Sequence, residues 1–312
     1  MSDIKLFKLN YGIADELQGI ASDLEKPLQT LIENNLESLL GIRFLATEYS
    51  TGKTHSGRID SMGLDENSSP VIIEYKRSVG ENVINQGLFY LDWLMDHQAE
   101  FSILVNEKLG KEVSASIDWS SPRLVCIAAD FTKYDAHAVQ QIGRDIQLIR
   151  YRMFGNDLLL FELANATSTG MRIAGTKVTK VVKTTANKLS WDKSYAEMQE
   201  LITETSRELL ASIEDYIISL GDDVQRKELK LYVAFKRIKN FASIVVQKNK
   251  LLIYLNISPD LALPLPSFAR DVRAVGHWAT GDLELSITNA SEFEMAKTLI
   301  RMAYEGRNKE IS

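Results

Sequence analysis

Residues 57–78 read GRIDSMGLDENSSPVIIEYKRS. Two apolar, β-prone segments flank the polar run DENSSP, the pattern of a hairpin. The second segment does not stop where its apolar run stops: Val71-Ile72-Ile73 continues straight into Glu74-Tyr75-Lys76. A carboxylate and an ammonium at the end of a buried strand are costly to desolvate unless something uses the charges. A turn about Asn67 sets Asp60 directly opposite Glu74, with Cβ atoms ~4.5–5.5 Å apart, and like charges so placed destabilise a strand pair. Lys76, two residues on, points to the same side as Glu74. A divalent cation between the two carboxylates removes the repulsion. Mg²⁺ is a hard ion that takes few protein carboxylates, keeps waters and accepts phosphate oxygens, and a neighbouring lysine can hold a water in line for attack. A plain salt-bridge cluster of Asp60 and Glu74 with Arg58 and Lys76 is the competing reading. The register decides between them, because a one-residue slip separates the carboxylates.

Outward from this hairpin the periodicities alternate. Residues 27–40 place Leu28, Leu31, Ile32, Leu36, Leu39 and Leu40 on one helical face, with Gly41 as the stop. IRFLATEYS reads as a strand before the hairpin, and residues 81–97 as a helix after it. Residues 100–113 suggest a further helix, RLVCIAADF an apolar strand, DAHAVQQIG a short helix, and IQLIRYRMF and DLLLFEL two strands. The order α-β-β-β-α-(α)-β, continuing α-β-β, predicts a mixed α/β layered domain.

The spacing of Asp60, Glu74 and Lys76 resembles the D…ExK signature of the PD-(D/E)XK nuclease superfamily, the restriction-endonuclease-like fold. The resemblance covers about residues 25–165. The element order matches that superfamily's αβββαβ core. The preceding helix offers Glu33 and Glu37 as its helical acid, with Glu33 nearer the apolar stripe. Gln86 and Tyr90, i and i+4 on the next helix, resemble the Q-x3-Y motif of the RecB-like branch. Ile59 stands where the family's leading proline would be. The resemblance implies a Mg²⁺-dependent nuclease, with Mn²⁺ able to substitute. In it Asp60, Glu74 and the Tyr75 carbonyl hold the metal, Lys76 orients water, Glu33 supports the metal shell, and Gln86 and Tyr90 set Lys76 and the nucleic-acid strand. DNA is expected ahead of RNA, no membrane is expected, and a homodimer is allowed.

Residues 166–190 are rich in Thr, Lys and Ala and are expected to be a basic linker. Beyond them an α+β block is expected over 191–312: a helix from Trp191 to Leu220, four strands, and a last helix whose capping box runs from Ser291 to Glu294. This block resembles a C-terminal domain of unknown function sometimes labelled a predicted transport protein, and is loosely similar to small DNA-binding double-wing domains. From Arg226 to Lys250 there are eight basic residues and one acid. Lys236, Arg237 and Lys239 in this run, and Arg270 and Arg273 near His277 and Trp278, are the candidate phosphate contacts; ordinary solvation is the alternative.

Composition bounds these readings. The 312 residues are 45% hydrophobic and 25% charged, with a net charge of −6, the mix of a globular protein with a real core. Residues 1–100 carry 8 Lys/Arg against 16 Asp/Glu. No apolar stretch approaches the ~18 residues of a membrane span, and no signal-peptide pattern is visible. The single cysteine, Cys126, suits a small core hydrophobe. His55, His97, His137 and His277 lack zinc-ligand spacing. A cytoplasmic location is the expectation.

Overall fold

A computed structural model describes residues 4–20, 25–52, 57–76, 83–155, 157–164, 193–276 and 279–306. The chain forms two compact units, residues 1–165 and 166–312. The whole of the expected linker, together with His55, His277 and Trp278, lies outside the described residues.

In the first unit, a hairpin of β1 (Leu6–Asn10) and β2 (Ile13–Leu17) leads to the short β3 (Gly19–Ile20). Next come α1 (Glu25–Asn34) and α2 (Leu36–Leu40). The single helix expected over 27–40 is thus broken at Asn35, and Gly41, left-handed at φ 65°, ends it. The strands β4 (Ile42–Ser50), β5 (Arg58–Asp65) and β6 (Pro70–Lys76) follow. Helices α3 (Val83–Asp96), α4 (Gln98–Leu109) and α5 (Lys111–Ala115) lead to β7 (Arg123–Ala128). Then α6 (Lys133–Gln141) leads to β8 (Asp145–Phe154) and β9 (Leu158–Leu163). The result is a seven-stranded mixed sheet, order β3-β8-β7-β6-β5-β4 with β9 on β8. β6, β7 and β8 run parallel through helical crossovers, and the rest pair antiparallel. This is the αβββαβ mixed-sheet architecture expected from the periodicities.

Helices cover both faces. Ile84, Leu91, Leu94, Phe101 and Val105 pack against Met62, Leu64, Ile72, Leu124 and Cys126. Gly87 permits this approach: a Cβ there would meet Leu124 Cδ1 at 2.4 Å. α1 rests against β6 on the opposite face, burying Leu28 and Ile32.

The hairpin turn is fixed by charge. Asp65 accepts the Asn67 and Ser69 N–H groups. Its other oxygen takes Arg123 Nη1 at 2.8 Å, with both side chains under 5% exposed. Arg123 also donates to Gln147. Replacing Arg123 with Met leaves the Asp65 carboxylate buried without its cation. Urea unfolding should show a loss of about 3–5 kcal/mol.

The second unit carries α7 (Tyr195–Leu201) and α8 (Glu204–Ser219), split at Thr203, whose side chain caps α8, so the long helix expected from Trp191 to Leu220 is interrupted. Its sheet holds β10 (Gln225–Glu228), β11 (Val233–Lys236), β12 (Asn240–Gln247), β13 (Lys250–Leu255), β14 (Ala269–Asp271) and β15 (Leu283–Ile287). All neighbours are antiparallel, in the order β10-β11-β12-β13-β15-β14. The last helix, α9 (Ala290–Tyr304), is capped by Asn289 rather than Ser291. Ile213, Ile217, Phe293 and Ile300 pack on Phe235, Ile244, Ile253 and Leu285. No helix among the described residues is long and apolar enough to cross a membrane.

Candidate active site

β5 and β6 pair in the register expected of a turn about Asn67, from Leu64↔Pro70 to Ser61↔Ile73. Beyond that rung the strands part. β5 stays with β4 through Ile59 and Arg58, and β6 stays with β7 through Glu74, Tyr75 and Lys76. Asp60 and Glu74 face each other where the ladder opens, and their carboxylates take over the missing rungs. Asp60 Oδ2 accepts the Tyr75 N–H at 3.0 Å, and Glu74 Oε1 accepts the Asp60 N–H at 3.3 Å.

Asp60 has also left its other neighbour. The ladder with β4 runs from Ser61↔Thr47 to Ile59↔Tyr49 without a rung at Asp60. At Glu48, between Thr47 and Tyr49, β4 takes φ +51°, a conformation costly for any residue with a side chain. The Asp60 carbonyl accepts Gln29 Nε2 from α1 at 2.8 Å instead.

The electrostatics follow from burial. The Glu74 side chain is wholly buried, and among the described residues its Oε2 has no hydrogen-bond partner. Burial first, and then the Asp60 charge, push its pKa up to about 9; the Asp60 N–H and Lys76 pull the other way. Burial also raises Asp60, opposed by the Tyr75 N–H bond and by Lys76. Lys76 is half-buried and, among the described residues, forms no ion pair with either acid. Arg58 pairs with Glu48 instead. The salt-bridge cluster weighed against a metal site therefore does not form among these residues.

The other expected members are placed differently. Glu33 Oε1 accepts Ser61 Oγ at 2.6 Å and Gln29 Nε2 at 2.9 Å, which ties it to the α1 side of the sheet. Tyr75 Oη, also at Ser61, lies on that side. Glu37 is exposed. Among the described residues no three or more His, Cys, Asp or Glu side chains gather as a metal-binding group. Gln86 Nε2 donates to Tyr90 Oη at 3.3 Å, and that oxygen also accepts the Arg58 N–H at 3.2 Å. The Tyr90 ring lies against Gly57, where a Cβ would meet it at 2.5 Å. Gln86 and Tyr90 thus anchor the free end of β5. Gln29, 2% exposed, escaped the sequence reading; its only signal was a polar residue beside Leu28 and one turn before Glu33.

In the second unit the expected phosphate track is largely neutralised. Lys236 is 3% exposed. Arg237 pairs with Asp223 and stacks over the Tyr304 ring at 4.8 Å. Arg270 grips the buried Glu284 through two bonds of 2.7 and 2.8 Å. Arg273 is held by Asp260 and Asp271. Lys239 is half-buried. Arg237, Arg270 and Arg273 are met by acids distant in sequence and Lys236 is buried, so for these four the free electropositive surface does not form. Replacing Arg270 with Met leaves Glu284 buried without its cation, with Tyr254 still bonded to it, and thermal or urea unfolding should show a loss of about 1–3 kcal/mol.

Fold and site together define a class: a mixed α/β domain whose central hairpin opens around a half-buried and a fully buried acid, with a lysine two residues beyond the second. Comparison with known proteins gives the following relatives. Residues 193–306 match the family model described as a domain of unknown function, DUF5655. An uncharacterized protein of Haemophilus influenzae is 29% identical over 304 residues, covering 96% of this chain and 99% of its own. Among solved structures, a repair endonuclease from Pyrococcus abyssi is similar at 19% identity and a TM-score of 0.27, over 42% of this chain and 50% of that one. EndoMS in complex with double-stranded DNA is similar at 18% and 0.23, over 46% and 49%. Pyrococcus furiosus SfsA in complex with Ca²⁺ is similar at 14% and 0.26, over 51% and 74%. The chain spans about half the length of the first two structures.

Proposed function

We propose that the first unit is a divalent-metal-dependent nuclease of the PD-(D/E)XK type that hydrolyses phosphodiester bonds in DNA. The observation that carries this reading is Glu74 Oε2, a fully buried carboxylate oxygen without a partner among the described residues, beside the half-buried carboxylate of Asp60. Ionising both acids this close together is unfavourable, and a shared cation offsets that cost and gives the orphaned oxygen a partner.

The donor set suits a hard ion. All its atoms are oxygens, and two carboxylates with the Tyr75 carbonyl leave room for water and a phosphate oxygen, as Mg²⁺ prefers. Mg²⁺, when bound, supplies Lewis-acid polarisation of the phosphoryl group and eases deprotonation of water. Asp60 and Glu74 hold it. Lys76 steadies the attacking water and the negative charge that grows on the phosphoryl oxygens. The water oxygen bonds to phosphorus, the P–O bond to the leaving strand breaks, and the departing oxygen gains a proton. Gln86 and Tyr90 keep the open end of β5 in place through the Arg58 N–H.

The test is cleavage of labelled single- and double-stranded DNA, with RNA as a parallel arm, in Mg²⁺ or Mn²⁺. Wild type should cleave, chelator should stop it, and Glu74→Gln should reduce it to background. Absence of cleavage of every substrate, with no metal-induced shift in melting temperature, would remove the enzyme reading and leave a non-catalytic nucleic-acid-binding or protein-interaction role for the same fold.

A further inference from the structure

We propose that Gln29 is a positioning residue that holds Asp60 in the open fork, an inference that rests on the metal-dependent reading above. Asp60 has rungs to neither β4 nor β6, and side chains satisfy both of its backbone polar groups. Glu74 takes its N–H, and Gln29 takes its C=O. The first of these partners is itself a metal ligand in this reading. Among the described residues, Gln29 is then the contact to the Asp60 backbone that does not change when a metal binds.

The amide orientation is dictated by its surroundings. Nε2 faces three acceptors: the Asp60 carbonyl at 2.8 Å, Glu33 Oε1 at 2.9 Å and Thr47 Oγ1 at 3.2 Å. Its Oε1 faces the Lys26 ammonium at 3.1 Å. A flipped amide would set oxygen against oxygen and nitrogen against ammonium. Lys26 in turn reaches Glu48, the residue of positive φ beside the gap in the β4 ladder, at 2.8 Å. Glu33 also acquires a definite task. With one oxygen it takes both Gln29 Nε2 and Ser61 Oγ, so it orients the amide that holds Asp60. The local distortion of β4 and the side-chain clamp from α1 are two parts of one device. It detaches a single residue from the sheet and fixes it where its carboxylate enters the gap between β5 and β6.

Groups that hydrogen-bond metal ligands and their supports cost 10–100-fold in metal affinity or activity when removed. Gln29→Met keeps the volume and loses the donor; Gln29→Asn keeps the amide and shortens its reach. Thr47→Val removes another contact of the same amide without touching Asp60. Two readouts are taken on the full chain. Amide hydrogen exchange without metal should show Asp60 and Tyr75 losing protection about tenfold or more in both Gln29 variants, while Met62 and Ile72 are unchanged. Mn²⁺ titration calorimetry should show affinity falling about 10–100-fold in both variants and staying within about twofold in Thr47→Val. If the Gln29 variants fold, bind Mn²⁺ within twofold of wild type and keep the Asp60 and Tyr75 protection, the clamp is overturned and the nuclease reading stands. If wild type binds no Mn²⁺, behaving like Glu74→Gln, the nuclease reading falls and the proposal with it.

Discussion

Lys76→Met should cut the rate of DNA cleavage by about 10²–10⁴-fold, the usual cost of losing a group that moves or holds a proton at the reacting centre. Its Mn²⁺ affinity should stay close to that of wild type. The lysine follows Glu74 by two residues on β6 and is half-buried at the mouth of the fork. Its charge favours ionisation of both Asp60 and Glu74, without being the largest influence on either. The carboxylates therefore remain able to hold a cation when Lys76 is gone, and the loss falls on the chemical step. Single-turnover cleavage of a fluorescent oligonucleotide at saturating Mn²⁺ separates the two effects. An unchanged rate would take Lys76 out of the machinery. A rate loss matched by an equal loss of Mn²⁺ affinity would make it a support for the metal alone.

The second large effect is the pH dependence of metal binding. Without metal, Glu74 holds its proton up to about pH 9 because it is buried beside Asp60. A cation must displace that proton. Wild-type Mn²⁺ affinity should therefore rise between pH 6 and pH 9 by up to tenfold per pH unit, a limit set by one released proton, and level off above that range. Calorimetry in two buffers of different ionisation enthalpy reads the proton release directly. The stability of the metal-free protein should run the opposite way. A carboxyl whose folded pKa is raised contributes stability that is fully present below its unfolded value, near 4.5, and is lost as pH rises through about 9. Burial shifts Asp60 in the same direction. The metal-free melting temperature should fall from pH 6 to pH 9, Mn²⁺ should restore it, and Glu74→Gln should flatten the curve and lose the Mn²⁺ response. A melting temperature that rises over this range would show that the buried Glu74 carboxylate is stabilised as an anion.

The hairpin was the most legible part of the chain because local chemistry specifies it. Asp65 and Asn67 mark the turn, a period of two marks the strands, and the register that brings Asp60 to Glu74 follows from where the turn lies. Sequence could not show that the ladder opens at that point, since the opening depends on the backbone at Glu48 and on Gln29 reaching from α1. Glu33 was legible as the inward acid of its helix, but periodicity alone could not tell that its carboxylate would be held by Ser61 and Gln29. Charge counting failed for a similar reason in the second unit. Arg237, Arg270 and Arg273 look free along the chain, yet Asp223, Glu284 and Asp260, each 13 or 14 positions away, close on them. The hairpin of β1 and β2 left no usable pattern, because nearly every residue in it is exposed and neither face is uniformly apolar. The breaks at Asn35 and Thr203 passed unseen because the apolar stripe runs on through both.

The central claim is that Asp60 and Glu74 share one divalent ion. Crystals soaked in Mn²⁺ and measured at a wavelength where manganese scatters anomalously test it most directly. The account predicts a single anomalous peak within coordinating distance of Asp60 Oδ, Glu74 Oε and the Tyr75 carbonyl. Density absent from the fork at a saturating Mn²⁺ concentration, with Glu74 still bonded to the Asp60 N–H, would contradict it.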